Sequence, residues 1–149
     1  MRNSVLLLVI IILLTFGLTG CLMSNKVYEY WEFDYDVKDI QYIQIVEITE
    51  EFNSSYRVIK EIESSKTQEV CDDVTALSMY TFALSMESPI EPYGICILIM
   101  YNTGEYDIIA DSGSKKYRYD EKTGLIENPT SWRYCEDEEF EALIDKYLN

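Results

Sequence analysis

Hydrophobic and polar residues alternate in several segments of the chain, and a period of two predicts β-strands. Ile, Val and Tyr are interspersed with polar residues over Asp39–Thr49, and Tyr56–Ile62 alternates as well, so the two segments predict an antiparallel hairpin. The period of two returns over Tyr80–Met86. Ile95–Tyr101 is the most apolar stretch after the first 20 residues, and it predicts a central strand.

The region after this central strand predicts a meander of short strands. Asn102-Thr103-Gly104 is a hairpin turn signal, and Tyr106–Ala110 is expected to return beside the central strand. Asp111–Lys116 predicts a further turn, followed by short strands at Tyr117–Tyr119 and Leu125–Ile126. Tight turns join antiparallel neighbours, so the sheet is expected to be antiparallel.

Two segments have helical spacing. The residues Ser64–Glu69 are typical of a helix start with capping side chains, and the helix is expected to end near Leu77 or Met79. Glu136–Leu148 predicts a C-terminal amphipathic helix with acidic residues in its first turn. Its apolar face consists of Phe140, Leu143, Ile144 and Tyr147.

The first residues have the layout of a secretory signal. Arg2 and the amino terminus supply a weak positive charge, and Val5–Phe16 is apolar apart from Thr15. This run is shorter than the roughly 18 residues that a transmembrane helix needs. Cleavage is therefore favoured over a permanent span, although an uncleaved anchor remains an alternative.

Leu18-Thr19-Gly20-Cys21, which ends this apolar run, resembles the lipobox of bacterial lipoproteins. The resemblance implies that Cys21 is acylated, for example with palmitate, and becomes the first residue of the mature chain. An ordinary signal peptide with a chance cysteine is the other interpretation. Acyl chains anchor a domain because each buried CH₂ contributes about 0.8 kcal/mol. We therefore expect a signal peptide at 1–20, a lipidated cysteine and tether at 21–33, and an extracytoplasmic domain at 34–149.

Length and charge indicate a single acidic domain. The chain of 149 residues carries 27 Asp and Glu against 12 Lys and Arg, and such a surface repels nucleic acid. The predicted fold is α+β, a curved antiparallel sheet with two helices packed on one face. The Tyr- and Ile-rich strands and the Phe140-x-x-Leu143-Ile144 helix also resemble small surface lipoproteins of low-GC Gram-positive bacteria, which implies no activity.

The cysteines other than Cys21 have two interpretations. Cys71, Cys96 and Cys135 are either three free, buried thiols or include one disulfide, for which Cys71–Cys135 and Cys96–Cys135 are equally arguable. Their spacing contains no C-x-x-C redox pair.

The sequence carries no recognisable catalytic or metal-binding constellation. It has no histidine, which excludes histidine-based triads and imidazole zinc sites. Asp34, Asp36 and Asp39 have the chemistry for a hard cation but lack the glycine and the final glutamate of a calcium loop, so a solvated acidic segment is favoured. We expect no catalytic residue, no metal and no cofactor, and hence no enzyme.

Two clusters are candidate interaction surfaces. The first is basic, and it is either a patch for an anionic ligand, wall polymer or acidic partner, or a charged edge strand that opposes aggregation. Its candidate ligand or partner residues are Lys115, Lys116, Tyr117 and Arg118. The second cluster is aromatic, and it either covers the core or offers a face to a partner or sugar. It consists of Tyr28, Tyr30, Trp31, Phe33 and Tyr35.

These observations favour a lipid-anchored domain on the outer face of the cell membrane with a non-enzymatic binding or protein-interaction role. Its expected partners are the membrane, through lipid on Cys21, and an envelope protein or wall polymer. The alternatives are a carboxylate-dependent hydrolase acting on cell-envelope polymer and an accessory subunit of a membrane complex.

Overall fold

A computed structural model describes residues 26–49, 56–82, 91–126 and 131–149. Three parts of the sequence-based predictions lie outside these ranges: Cys21 with the apolar run before it, residues 50–55 between the two strands of the predicted hairpin, and residues 83–86 of the alternating segment. The described residues form an eight-stranded antiparallel sheet and two α-helices, which confirms the predicted α+β class. Among them, no helix reaches the length and apolarity that a membrane span requires.

The strands are β1 (Lys26–Glu29), β2 (Ile40–Ile48), β3 (Tyr56–Glu61), β4 (Met79–Phe82), β5 (Gly94–Tyr101), β6 (Tyr106–Ile109), β7 (Ser114–Tyr117) and β8 (Ser131–Cys135). The helices are α1 (Thr67–Ala76) and α2 (Asp137–Leu148), and short 3-10 helices span Val37–Asp39 and Ser64–Lys66. Across the sheet the order is β1-β4-β8-β7-β6-β5-β2-β3. The predicted hairpin of β2 with β3 and the meander of β5, β6 and β7 are both confirmed.

Strand β7 begins earlier than its sequence pattern predicts. The chain reverses over residues 111–113, and the Ser114 hydroxyl closes this turn by donating to the Ala110 carbonyl and accepting from the Ala110 amide, each at 3.0 Å. Strand pairing therefore starts at Ser114, within the predicted turn. The predicted strands around Tyr119 and Ile126 are reduced to a single bridge between these two residues.

The first strand and the start of α1 also differ from the sequence-based expectations. Strand β1 lies within residues 21–33, the segment predicted as a tether, and pairs with β4. The predicted capping of α1 was wrong. A 3-10 helix at Ser64–Lys66 precedes α1, so Lys66 is the N-cap residue of α1, and it makes no side-chain cap hydrogen bond.

Both helices pack on the same face of the sheet, as predicted. The alternation of side chains along β2 and β5 directs Ile43, Ile45, Ile97 and Ile99 toward α1 and α2. The main core cluster consists of Trp31, Ile43, Ile45, Ile62, Val70, Cys71, Val74, Leu77, Met79, Ile97, Ile99, Tyr101, Ile109, Cys135, Phe140, Leu143, Ile144 and Tyr147. A second cluster, on the opposite face, consists of Val46, Ile48, Cys96, Leu98, Ile108, Ala110 and Tyr117.

Candidate functional site

The four residues of the predicted basic patch divide between the two faces of the sheet. Lys116 pairs with Asp107 across β6 and β7, whereas Lys115 pairs with Ile108 of the second cluster. The Lys115 side chain is only 1% exposed, and its Nζ lies 2.7 Å from Oε1 of Glu91. Tyr117 is buried in the second cluster. The structure thus brings Lys116 and Arg118 together and separates them from Lys115 and Tyr117.

Arg118 belongs to a buried polar network around Asp107. Its Nη2 lies 2.6 Å from Oδ1 of Asp107, a carboxylate with no exposed surface. The other oxygen, Oδ2, accepts hydrogen bonds from Tyr101 Oη at 2.9 Å and Trp31 Nε1 at 3.2 Å. Both carboxylate oxygens therefore have donors, as a buried charge requires.

Asp34 joins Arg118 to Lys116 at the outer edge of this network. Its Oδ2 accepts from Arg118 Nη2 at 2.8 Å, and its Oδ1 lies 2.8 Å from Lys116 Nζ. Burial raises the pKa of the Asp34 carboxyl, but the hydrogen bonds from Lys116 and Arg118 outweigh that effect and lower the pKa overall. Glu105 extends the network by accepting from the Tyr35 hydroxyl and the Tyr119 amide.

Burial and charge pairing have opposite effects on Asp107 and Arg118. Removal from water raises the pKa of the Asp107 carboxyl, and the Arg118 guanidinium offsets part of that rise. Burial lowers the pKa of Arg118, but attraction by Asp107 and Asp34 raises it overall. Because Asp107 is enclosed and held by three side chains, the geometry suits fixing the fold around the site rather than reaching a substrate.

A cleft of about 470 Å³ lies next to this network, lined by Glu29, Tyr30, Trp31, Glu32, Lys116 and Arg133. It is where the predicted basic cluster meets the predicted aromatic cluster, because Lys116 comes from one and Tyr30 and Trp31 from the other. We call it the β1 cleft, since Glu29 ends β1 and the residues that follow form one wall.

Three of the four charged side chains that line the β1 cleft, those of Glu29, Lys116 and Arg133, are held in ion pairs. Arg133 Nη2 lies 2.5 Å from Oε2 of Glu29, and Lys116, bound to Asp34, places its Nζ 5.4 Å from the centre of the Trp31 ring. Trp31 is buried, whereas Tyr30 is 75% exposed. The cleft therefore combines an exposed aromatic ring with fixed donors and acceptors of both signs.

The remaining aromatic residues of the cluster have separate roles. Phe33 and Tyr35 pack against the main core. The Tyr28 hydroxyl donates to Oε1 of Glu136 at 2.7 Å, and its ring lies 5.8 Å from that of Tyr80. The aromatic cluster thus both covers the core and exposes rings, and Tyr30 is the exposed ring that lines the β1 cleft.

Sequence reasoning missed several residues of this site, namely Glu29, Glu32, Glu105, Asp107 and Arg133. One signal was present for Asp107, which is a lone acid followed by Ile108 and Ile109 in an apolar strand. A charge buried in such a strand needs a partner of opposite sign, and Arg118 follows in the next strand region. The pairing of Glu29 with Arg133 has no local signal because the two residues are distant in sequence.

The cysteines and the acidic side chains are the other groups that could react or bind a metal. Cys71, Cys96 and Cys135 are free and buried. Within the described ranges, no group of three or more side chains suited to metal binding occurs, and Asp34 and Asp36 instead pair with cations.

We expect the three thiols to resist alkylation in the folded protein. Burial raises the pKa of Cys71 to about 11 and the pKa of Cys96 and Cys135 to about 12, so little reactive thiolate forms at pH 8. Iodoacetamide labelling followed by peptide mass spectrometry should show rates about a hundredfold or more below those in denaturant. Rapid labelling of any of the three in the native protein would contradict their burial.

Comparison of the chain with protein-family models, with known proteins and with solved structures yields no match.

Proposed function

We propose that the chain is a lipid-tethered, non-enzymatic binding domain that faces outside the cytoplasm and holds a polyhydroxylated polymer of the cell envelope in the β1 cleft. The observation that carries the proposal is the exposed ring of Tyr30 beside the fixed ion pair of Arg133 with Glu29.

The chemistry of the β1 cleft supports a sugar-like ligand. A sugar ring presents apolar C–H groups on its faces and hydroxyls around its edge. An exposed aromatic ring provides area for the faces at low entropic cost, and ionised side chains provide strong hydrogen bonds for the hydroxyls. Carboxylates at Glu29 and Glu32 accept, whereas Lys116 and Arg133 donate. Since cations and acids are balanced, the cleft favours a hydroxylated ligand over a highly charged one.

The expected lipid on Cys21 places this cleft near a membrane. Strand β1 begins at Lys26, and an extended chain from Cys21 to Lys26 spans at most about 18 Å. Residues Glu29 to Glu32 of the cleft follow directly in sequence. The proposed ligand is therefore an envelope polymer that lies close to the bilayer surface.

The hydrolase alternative has less support. General acid–base cleavage of a glycosidic bond needs two carboxyl groups that face a substrate across an open cleft. Asp107 has no exposed surface and is bonded to Arg118, Tyr101 and Trp31. Glu105 accepts from Tyr35 and from the Tyr119 amide. Glu29 and Glu32 both line the β1 cleft, but Glu29 is held in an ion pair with Arg133.

We expect Tyr30→Ala to lower the affinity for purified envelope polymer by about tenfold or more, because an aromatic ring at the centre of a binding site commonly contributes about 2 kcal/mol. Co-sedimentation of the full chain with insoluble polymer measures this. The matched control is Tyr93→Ala, which removes a ring that is 61% exposed and does not line the β1 cleft. Equal retention of wild type and Tyr30→Ala, or an equal loss in both variants, would contradict a site at the β1 cleft.

We expect Cys21→Ser to move the protein from the membrane fraction to the soluble fraction, because acyl chains supply most of the bilayer affinity. Feeding with labelled palmitate, followed by fractionation, tests this. The control is a thermal melt of the released variant, which should be unchanged because Cys21 precedes the sheet. Failure of wild type to incorporate the label would contradict the lipoprotein assignment while leaving the β1 cleft untouched.

A further inference from the structure

A second groove lies between α2 and the loops at one end of the sheet, and it shares no lining residue with the β1 cleft. Tyr93, Gly94 and Ile95 at the start of β5 form one wall, and Asp111 and Ser112 of the turn before β7 form another. Its volume is about 630 Å³, which is within the range of about 300–1,000 Å³ typical of small-molecule sites.

The floor of this α2 groove is apolar. Phe140 and Ile144 present the edge of the main core along α2, and Leu148 continues the same stripe. Facing them, Ile95 is 39% exposed and Tyr93 is 61% exposed. Apolar side chains on both sides of a groove, two of them in contact with water, favour a ligand that carries an apolar body.

The rim of the α2 groove is acidic. Asp111, Glu141 and Asp145 all line it, and no lysine or arginine does. Across the described part of the chain, none of these three carboxylates takes part in an ion pair, whereas Asp34, Asp73 and Asp107 each have a cationic partner. Lys60 lies at one end of the groove, where its Nζ donates to the Leu148 carbonyl at 3.2 Å. With three carboxylates against this one lysine, the rim has a net negative charge over an apolar floor.

Ser112 adds an independent polar feature. Its Oγ is inaccessible to water and has no hydrogen-bond partner among the residues that the structure describes, although the Ser112 amide donates to Oδ1 of Asp111 at 2.5 Å. A buried hydroxyl without a partner costs free energy, and this one belongs to a residue that lines the groove.

The geometry points to a binding site for a small organic cation in the α2 groove: an ammonium group that faces Glu141 and Asp145, attached to an apolar body that contacts Ile95 and Ile144. The acidic rim favours the ammonium group by charge complementarity, and the apolar floor favours the apolar part of the ligand. This site is separate from the β1 cleft and does not depend on the function proposed for that cleft.

Titration with phenylbutylamine, phenylbutanol and phenylbutyrate tests the proposal, because the three compounds share a body and differ in charge. Amide NMR shifts should cluster at Ile95, Ser112 and Ile144, and the amine should bind about tenfold more tightly than the alcohol and more tightly still than the carboxylate. Equal affinities for amine and alcohol, or shifts that cluster elsewhere, would overturn it.

Variants of the full chain separate this site from general electrostatics. In Glu141→Gln/Asp145→Asn, the preference for amine over alcohol should disappear while the affinity for the alcohol is unchanged. The control Glu121→Gln/Glu138→Gln removes the same charge from exposed positions outside the groove, and it should keep the preference. An equal loss in both variants would show that net charge, not the groove, selects the amine. Tyr30→Ala should leave amine binding unchanged.

Discussion

Arg118→Met lowers the free energy of unfolding by about 3–5 kcal/mol, the expected result when one partner of a buried ion pair is removed. The reason is that Asp107 has no exposed surface and loses the cation that lies 2.6 Å from its Oδ1. The side chain of Arg118 is itself only 11% exposed, so water does not replace it. Urea unfolding at neutral pH measures the change.

Two variants serve as controls for this prediction. Arg57→Met removes the arginine of an ion pair with Glu47. The Arg57 side chain is 71% exposed, so this variant should change the free energy of unfolding by about 1 kcal/mol or less. Adding Asp107→Asn to Arg118→Met should restore part of the loss, because the amide oxygen still accepts from Tyr101 and Trp31 without a buried charge. If Arg118→Met matched Arg57→Met, the network would not support the fold.

The loss in Arg118→Met should also depend on pH. Without the guanidinium, burial alone raises the pKa of Asp107 further above its unfolded value of about 3.9. A carboxyl whose pKa is higher in the folded than in the unfolded protein does not destabilise the fold at a pH below its unfolded pKa. As the pH rises from the unfolded pKa toward the folded pKa, the free energy of unfolding falls. The difference from wild type should therefore be small near pH 3 and grow toward pH 7.

Phe140→Ala is the second large change, with an expected loss of about 3–5 kcal/mol of unfolding free energy. Phe140 is 4% exposed and lies in the main core with Leu143, Ile144 and Tyr147. The truncation leaves a cavity between α2 and the sheet as well as removing buried apolar area. Thermal and urea unfolding measure it, and Glu138→Ala, an exposed change in the same helix, should have little effect. An unchanged midpoint in Phe140→Ala would show that α2 is dispensable for the fold.

The sequence pattern predicted the elements with a strong apolar signal. Strand β5 is apolar at nearly every position and contributes to both core clusters, whereas α2 repeats one apolar face along its length, and such patterns are what burial imposes on a sequence. The four buried residues of α2 are the four that its spacing marks.

Two strands have too little pattern to be predicted. All four residues of β1 are exposed, so burial imposes no alternation on Lys26–Glu29. Strand β8 lies between β4 and β7, yet its Ser131–Cys135 sequence is short and runs directly into the helical signal of α2. Their places in the sheet depend on partners distant in the chain, which a local pattern does not encode.

The composition of the candidate site depended on the residue at which β7 begins. Side chains alternate along a strand, so a β7 that spans Ser114–Tyr117 separates Lys115 from Lys116, whereas the predicted turn would have kept them together. That difference of a few residues replaces a single basic patch with a buried lysine bound to Glu91 on one face and the paired Lys116 and Arg118 on the other.

The central claim is that envelope polymer binds in the β1 cleft, and amide NMR of the full chain with a soluble fragment of that polymer tests it most directly. We predict saturable shifts at Tyr30, Trp31, Lys116 and Arg133 without comparable shifts at Tyr93 or Asp145. Shifts confined to the α2 groove, or none at saturating fragment, would contradict it.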